Sequence, residues 1–506
     1  MSNDPVDPAD QGSAKTEQET GEKDRIQTEV PGLDSVLHGG LIENRSYLIR
    51  GQPGSGKTTL CLQFLTANGD DDEQSLYISF EEAEENVKQN AASVGIDLSD
   101  TEFLDLSPET DIFTEDESYD IFAPSEVESE TITDSIKERV EVLSPTRVVL
   151  DPVTQLRYLA PDEYQFRKQL LSFMTYLTEE NATVLFTSQA TDASPDDDLQ
   201  FMSDGTIELD AEGRNRTIEI SKFRGSSFEG GAHAVEFGAS GLVVYPRLVP
   251  EYFEKDFRIE SIPSGIPQVD QHLNGGIERG TVTIISGPTG VGKTTFGTQF
   301  MKEAAGRGER SVIYLFEETE ETFTNRCEAI NIPIRDMLTQ GNLVIEEIEA
   351  MTYSSEKFGN AIRAEVETHG TDIVMIDGVD GYKLSLRGSE SRLNRKLHSL
   401  CRYLKNMGVT VILVDEVQSV TGDFQATSEN ISYLADNIVF FRYIEVDSRI
   451  RKVIGVLKKR TSDFERSLRE FEITEHGISV SQPNEQLSSI LSGTPELRQP
   501  DAPPER

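Results

Sequence analysis

The feature that most constrains this chain is an internal duplication. GQPGSGKTT at residues 51–59 returns as GPTGVGKTT at 287–295, so Lys57 and Lys293 stand 236 residues apart. SLYISFEE (75–82) returns as VIYLFEE (312–318), and Glu81 and Glu317 are again 236 apart. SKFRGSS (221–227) matches LKKRTSD (457–463) at that same offset, and VVLDP (148–152) matches VMIDG (374–378) at 226. Each copy also opens alike, PGLDSVLHGGL at 31–41 and SGIPQVDQHLNGGI at 264–277. Features in one order at nearly one spacing mark a tandem repeat of a single unit.

The predicted organisation is a disordered acidic tail (1–24), a first domain (25–250), a second domain (251–480) and a polar, Pro-rich tail (481–506). Within each copy, short apolar strands such as SYLIR (46–50) and TVTIIS (281–286) end at a glycine. A segment of helical spacing follows each of them. Strands alternating with helices predict an α/β fold, a mostly parallel sheet flanked by helices. The acidic, Pro-interrupted stretch 107–130 reads as an exposed loop.

Charge narrows the partners. The formal net charge is −43, and it is uneven. Residues 1–250 carry 18 Lys and Arg against 50 Asp and Glu; residues 251–506 carry 29 against 40. Such a surface repels polyanions, which argues against a nucleic-acid partner, and it is of the halophile type. The N-terminal segment has neither a basic stretch nor an apolar one, so no cleaved leader is expected. No apolar run approaches the length of a membrane span. Cys61, Cys327 and Cys401 fall in no metal or disulfide pattern, which fits a reducing cytoplasm.

The strongest chemical signal is GxxxxGK[ST], present twice between a strand and a helix. Gly51, Gly54, Ser55, Gly56 and Thr59 frame the first loop; Gly287, Thr289, Gly290, Val291, Gly292 and Thr295 frame the second. Glycines let backbone N–H groups wrap phosphates, and the helix N-terminus adds its positive end. Lys57 and Lys293 then reach the β- and γ-phosphates of ATP, while Thr58 and Thr294 bind Mg²⁺. A P-loop NTPase is the expected class. The pairs Glu81–Glu82 and Glu317–Glu318 end the next strand, where a carboxylate can orient an attacking water or hydroxyl. Asp151 and Asp377 close an apolar strand, the position that helps hold Mg²⁺. Lys222 and Arg224, with Lys458 and Arg460, lie late in each copy. Their place suggests cations that reach a neighbour's γ-phosphate, which requires a ring.

These motifs in this order resemble the KaiC family, the RecA-like ring ATPases of the circadian clock, over residues 25–497. The resemblance implies tandem RecA-like domains in stacked rings of six chains, with ATP at each subunit interface. It implies ATP hydrolysis in the first ring and serine/threonine autophosphorylation in the second, in a signalling or timing role with a further protein partner not given by the sequence. The stretch 421–446 resembles the phosphorylated segment, and the family's adjacent Ser and Thr fall on Ser432 and Tyr433. Serine is kept and threonine has become tyrosine. In copy one, Gln200 and Phe201 stand at the matching positions, so phosphorylation is expected in copy two alone. The segment 488–497 resembles the C-terminal regulatory tail.

Two other classes compete. One is a nucleotide-gated scaffold without significant turnover, which need not keep both glutamate pairs. The other is a RadA-like DNA-dependent ATPase, for which the basic stretch RLNRKLHSLCRYLK (392–405) speaks and the net charge does not. The change from Ser188-Gln189 in copy one to Asp415-Glu416 in copy two implies different chemistry beside the same strand.

Overall fold

A computed structural model describes residues 24–66, 73–107, 125–189, 196–213, 215–349, 353–386, 390–417, 426–427, 431–446, 449–483, 487–488 and 496–497. The chain divides into two units, Met1–Val244 and Tyr245–Arg506.

In the first unit the phosphate-loop strand Ser46–Gly51 lies in the middle of a nine-stranded sheet. On one side come Thr183–Ser188, Arg147–Asp151, Ser75–Ser79 and Thr101–Asp105, all in parallel register. On the other, Gly205–Glu212 is still parallel, and Asn215–Phe223 and His233–Gly238 turn back antiparallel in succession. The central strands read as near-continuous apolar runs because helices cover both faces. Two buried clusters, one on each face, contain Leu60, Phe64 and Ile49 on one side and Leu48, Phe166 and Phe186 on the other.

The second unit repeats this order strand for strand. Val282–Gly287 is flanked by Thr410–Glu416, Ile373–Asp377, Ser311–Leu315 and Leu343–Glu347 on its parallel side. Asn437–Val446 is parallel on its other side, followed by the antiparallel Arg449–Lys459, Arg469–Thr474 and Gly477–Val480. The fold class is thus tandem RecA-like units, each a mostly parallel sheet between helical layers.

Residues following Val244 pack on the second unit. Asn360 Nδ2 donates to the Pro246 carbonyl at 2.7 Å, Asn406 Nδ2 to that of Pro250 at 2.9 Å, and Phe253 sets its ring edge-on to Tyr403. The segment expected as a loop over 107–130 gives way to a helix at Ser125, which runs to Leu143. Ile132, Ile136 and Val140, four residues apart, are buried and supply its apolar stripe. Residues 1–23, and most of the tail after 483, lie outside the described residues. Within that tail Leu487–Ser488 pairs antiparallel with Glu496–Leu497. Among the described residues no helix is long and apolar enough to cross a membrane.

Candidate nucleotide sites

Each site is built where the parallel strands end. Gly51 and Gly287 leave their strands at φ of 152° and 154°. A Cβ at Gly51 would stand 2.1 Å from the Leu209 carbonyl oxygen, so only glycine lets the chain turn there beside its neighbouring strand. The loops run to Gly56 and Gly292, in the left-handed region, and helices begin at Lys57 and Lys293. Free N–H groups of a first helical turn favour an anion.

Behind each loop the lysine is nearly buried. Lys57 Nζ donates to the carbonyls of Gly51 and Gln52, at 2.8 and 3.2 Å, and Lys293 Nζ to that of Pro288 at 3.0 Å. Burial pushes both amines below their ordinary pKa. Nearby acids oppose it, chiefly Asp151 for Lys57 and Glu416 for Lys293. An anionic ligand works in the same direction as those acids.

Thr58 Oγ1 donates to Asp151 Oδ2 at 2.7 Å, and Thr294 Oγ1 to Asp377 Oδ1 at 2.9 Å. Hydroxyl and carboxylate oxygens brought together from a helix start and a strand end form the hard donor set that suits Mg²⁺. Burial, with Glu318 and Glu317 adding repulsion, drives the Asp377 carboxyl up to about 7. A divalent cation beside it reverses that penalty. Sequence reasoning missed two further groups on Asp151: Tyr77 OH donates at 2.9 Å, and Thr187 Oγ1 donates to the other oxygen. Both lie on adjacent parallel strands, so their approach follows from register rather than from any motif.

The glutamate pairs differ between copies. Glu81 accepts a hydrogen bond from Gln189 Nε2 at 3.1 Å, and Asn90 Nδ2 lies 3.4 Å from Glu82 Oε2. In copy two, Glu318 is ion-paired with Arg326, whose Nη1 also donates to Thr295 Oγ1 at 2.9 Å. Glu317 opens onto a cavity of 360 Å³ that also reaches Lys293, Asp377, Glu416 and, on its apolar side, Ile473. Withdrawal from water, then repulsion from Glu416, raises the Glu317 pKa, while Lys293 pulls the other way. Arg326 was not singled out from the sequence, although its offset of 236 from Asn90 marks it as an exchange between copies.

The late cations turn to backbone carbonyls of their own chain. Lys222 Nζ donates to Gln200, at 2.5 Å, and to Ser203; Lys458 Nζ donates to Ser432 at 3.0 Å. Gln200 and Ser432 are the matching positions of the two copies, so this contact is conserved by the duplication. Arg224 is exposed, and Arg460 lies 3.5 Å from Asp436. Ser432 is exposed in a turn. Tyr433, 52% exposed, sets its ring 5.7 Å from that of His398. Residues 418–425 and 428–430 of the expected phosphorylated segment lie outside the described residues; Ala426 offers its carbonyl to Ser286 Oγ at 2.6 Å, directly before the second loop.

The basic stretch 392–405 forms most of the helix Glu390–Asn406, whose Leu393, Leu397, Leu400 and Leu404 are buried. Its Lys396, Arg402 and Lys405 are ion-paired with Glu356, Glu251 and Asp436 of the same unit. Paired cations offer little to a phosphate backbone.

The family model for the KaiC ATPase matches residues 26–249 and 262–485, once for each unit. The chain is 27% identical over 496 residues to the circadian clock protein KaiC3 of a Synechocystis species, spanning 95% of this chain and 96% of that one. It is 25% identical over 499 residues to the circadian clock oscillator protein KaiC of Thermosynechococcus vestitus, across 96% and 94% of the two chains. With the protein of that name from Synechococcus elongatus it shares 25% over 487 residues, across 93% and 92%. Two matched domains on two RecA-like units, each with its own phosphate loop, show that the chain belongs to the KaiC family of ATPases.

Proposed function

We propose that the chain works as a homo-oligomeric ring, of six copies by family likeness, in a signalling or circadian-type timing role. In this reading the first unit hydrolyses ATP, and the second transfers the γ-phosphate of ATP to Ser432 of a neighbouring chain. The observation that carries it is the duplicated contact of loop threonine with strand-end aspartate, at 2.7 and 2.9 Å, each beside a nearly buried loop lysine.

Thr58 with Asp151, and Thr294 with Asp377, would hold Mg²⁺, which would supply positive charge against the phosphates when bound. Lys57 and Lys293 neutralise the same phosphates from the loop side. In copy one Glu81 or Glu82 orients a water for attack on the γ-phosphorus. Glu81 is the better placed, because the Gln189 amide fixes its carboxylate. In copy two Glu317 takes the proton of the Ser432 hydroxyl. The serine oxygen bonds to phosphorus as the bond to the β–γ bridging oxygen breaks, and ADP leaves. Lys222 and Arg224, and Lys458 and Arg460, stabilise charge across the subunit interface. Lys458 already touches the backbone of the acceptor residue, which ties its position to that of Ser432. Tyr433 is the second hydroxyl within this turn.

The test is phosphate incorporation from γ-labelled ATP by the intact protein in molar salt, beside Lys57→Ala, Lys293→Ala and Ser432→Ala. Label on Ser432 that is lost with Lys293→Ala and survives Lys57→Ala is the expected result. Hydrolysis without label would leave a plain ATPase and remove the kinase part of the reading. Full-rate hydrolysis by a monomeric form would remove the cross-subunit part.

A further inference from the structure

The two sites differ in the charges that surround them. Copy two gains an acid, Glu416, where copy one has Gln189, and it gains a base, Arg326, where copy one has Asn90. Gly287 and Glu416 are register partners on neighbouring strands, so the added carboxylate sits at the rim of the phosphate loop. Arg326, Glu317, Glu318, Asp377 and Glu416 all line the cavity that holds Lys293. Counting only these lining positions, each copy keeps two more acids than bases; beside them copy two also buries Asp415, where copy one has Ser188.

The contacts show where the new cation acts. Its guanidinium spans two elements: one nitrogen pairs with Glu318 at the strand end, and the other donates to Thr295 at 2.9 Å in the first turn of the loop helix. Asn90 makes only the long 3.4 Å approach to Glu82. The copies therefore restrain opposite members of their pairs. Copy one holds its first glutamate through Gln189, and copy two holds its second through Arg326. A guanidinium pairs a carboxylate in a fixed plane and cancels its charge, which an amide does not.

We propose that Arg326 is a positioning residue of the second nucleotide site. It immobilises and neutralises Glu318, which lets the site carry the extra carboxylate of Glu416 and still accept a nucleoside triphosphate, with Glu317 left as the acting member of the pair. The proposal rests on the reading of copy two as an ATP site.

The experiment is a double-mutant cycle on ATP·Mg affinity at the second site, in a Lys57→Ala background, by titration calorimetry. Arg326→Asn, which installs the copy-one residue, leaves Glu318 uncompensated beside the phosphates and should weaken binding about tenfold or more. Glu318→Gln in the same chain should restore most of that loss, and Arg326→Lys should keep part of the affinity. Phosphate transfer is measured alongside. Equal losses from Arg326→Asn with and without Glu318→Gln would overturn the proposal, as would unchanged affinity in Arg326→Asn. Lys293→Ala is the control for the underlying reading. If it leaves nucleotide binding intact, copy two is not the site and the proposal falls with that reading. If binding follows the cycle but no label is transferred, only the kinase reading fails.

Discussion

Arg469 shows what single residues do inside this fold. It is fully buried, its Nη1 donates to the Gln268 carbonyl at 3.1 Å, and it is ion-paired with Glu465, whose side chain is 26% exposed. Copy one fills the matching position with His233, whose Nε2 lies 3.0 Å from the Glu229 carbonyl. A buried cation replaced by a short apolar side chain strands its partner and opens a cavity. Arg469→Ala should therefore cost the second unit about 3 kcal/mol, the lower end for a broken buried pair because Glu465 keeps some water. His233→Ala should cost less, since the side chain removed is smaller and leaves a smaller cavity. Urea unfolding of each variant measures the difference. At this scale the sequence is legible where a motif dictates position: Lys57, Thr58 and Asp151, and their counterparts, meet as the phosphate-loop pattern requires. It is not legible where contact depends on strand register. Nothing in the spacing of Tyr77 and Thr187 announces that both hydroxyls reach Asp151, nor in that of Arg326 that it holds Glu318.

At the scale of elements, the duplication made the alternation of strands and helices along the chain readable, since the phosphate loop, the glutamate pair and the aspartate each follow or close one parallel strand. The antiparallel extension was harder to read: Asn215–Phe223 mixes both signs of charge, Arg449–Lys459 is basic at both ends, and neither shows a motif beyond Lys222 and Lys458. A prediction belongs to the short helix Pro267–His272. It ends on a histidine only 1% exposed, where copy one has Val36. His272 Nε2 lies 3.1 Å from the Ser467 carbonyl. Burial and then the Arg469 charge hold its pKa below 6.5, against the pull of Glu465 and its carbonyl partners. Below pH 6.5 the unfolded chain takes up a proton that the folded unit refuses, so the stability present above 6.5 declines as pH falls toward the folded value. His272→Val should remove this part of the slope. The thermal midpoint of the second unit, followed from about pH 7.5 to about 5.5, should fall more steeply in the parent than in the variant. Asp377, raised to about 7, titrates with the opposite sign in both proteins and cancels in the comparison.

At the scale of the molecule, one sheet order serves both units while their charge does not follow it. Both bury an equivalent core on each face of the sheet, so the same hydrophobic burial drives each to fold. Residues 1–250 nevertheless hold 50 acids against 18 bases, and residues 251–506 hold 40 against 29. Like charges crowded on a folded surface repel more than on the expanded chain, which lowers stability at low ionic strength. Salt shortens the reach of that repulsion, from about 10 Å at 0.1 M to about 3 Å at 1 M. The first unit has more repulsion to lose, so its unfolding midpoint should rise further than that of the second as KCl is raised over this range. Calorimetry of the intact chain resolves the two transitions, and Lys57→Ala and Lys293→Ala with ATP·Mg present assign them, because a unit that binds nucleotide is stabilised by it. Equal shifts of both transitions would mean that the acids of the first unit are already compensated locally, as Asp198 is by Arg157 and Arg167.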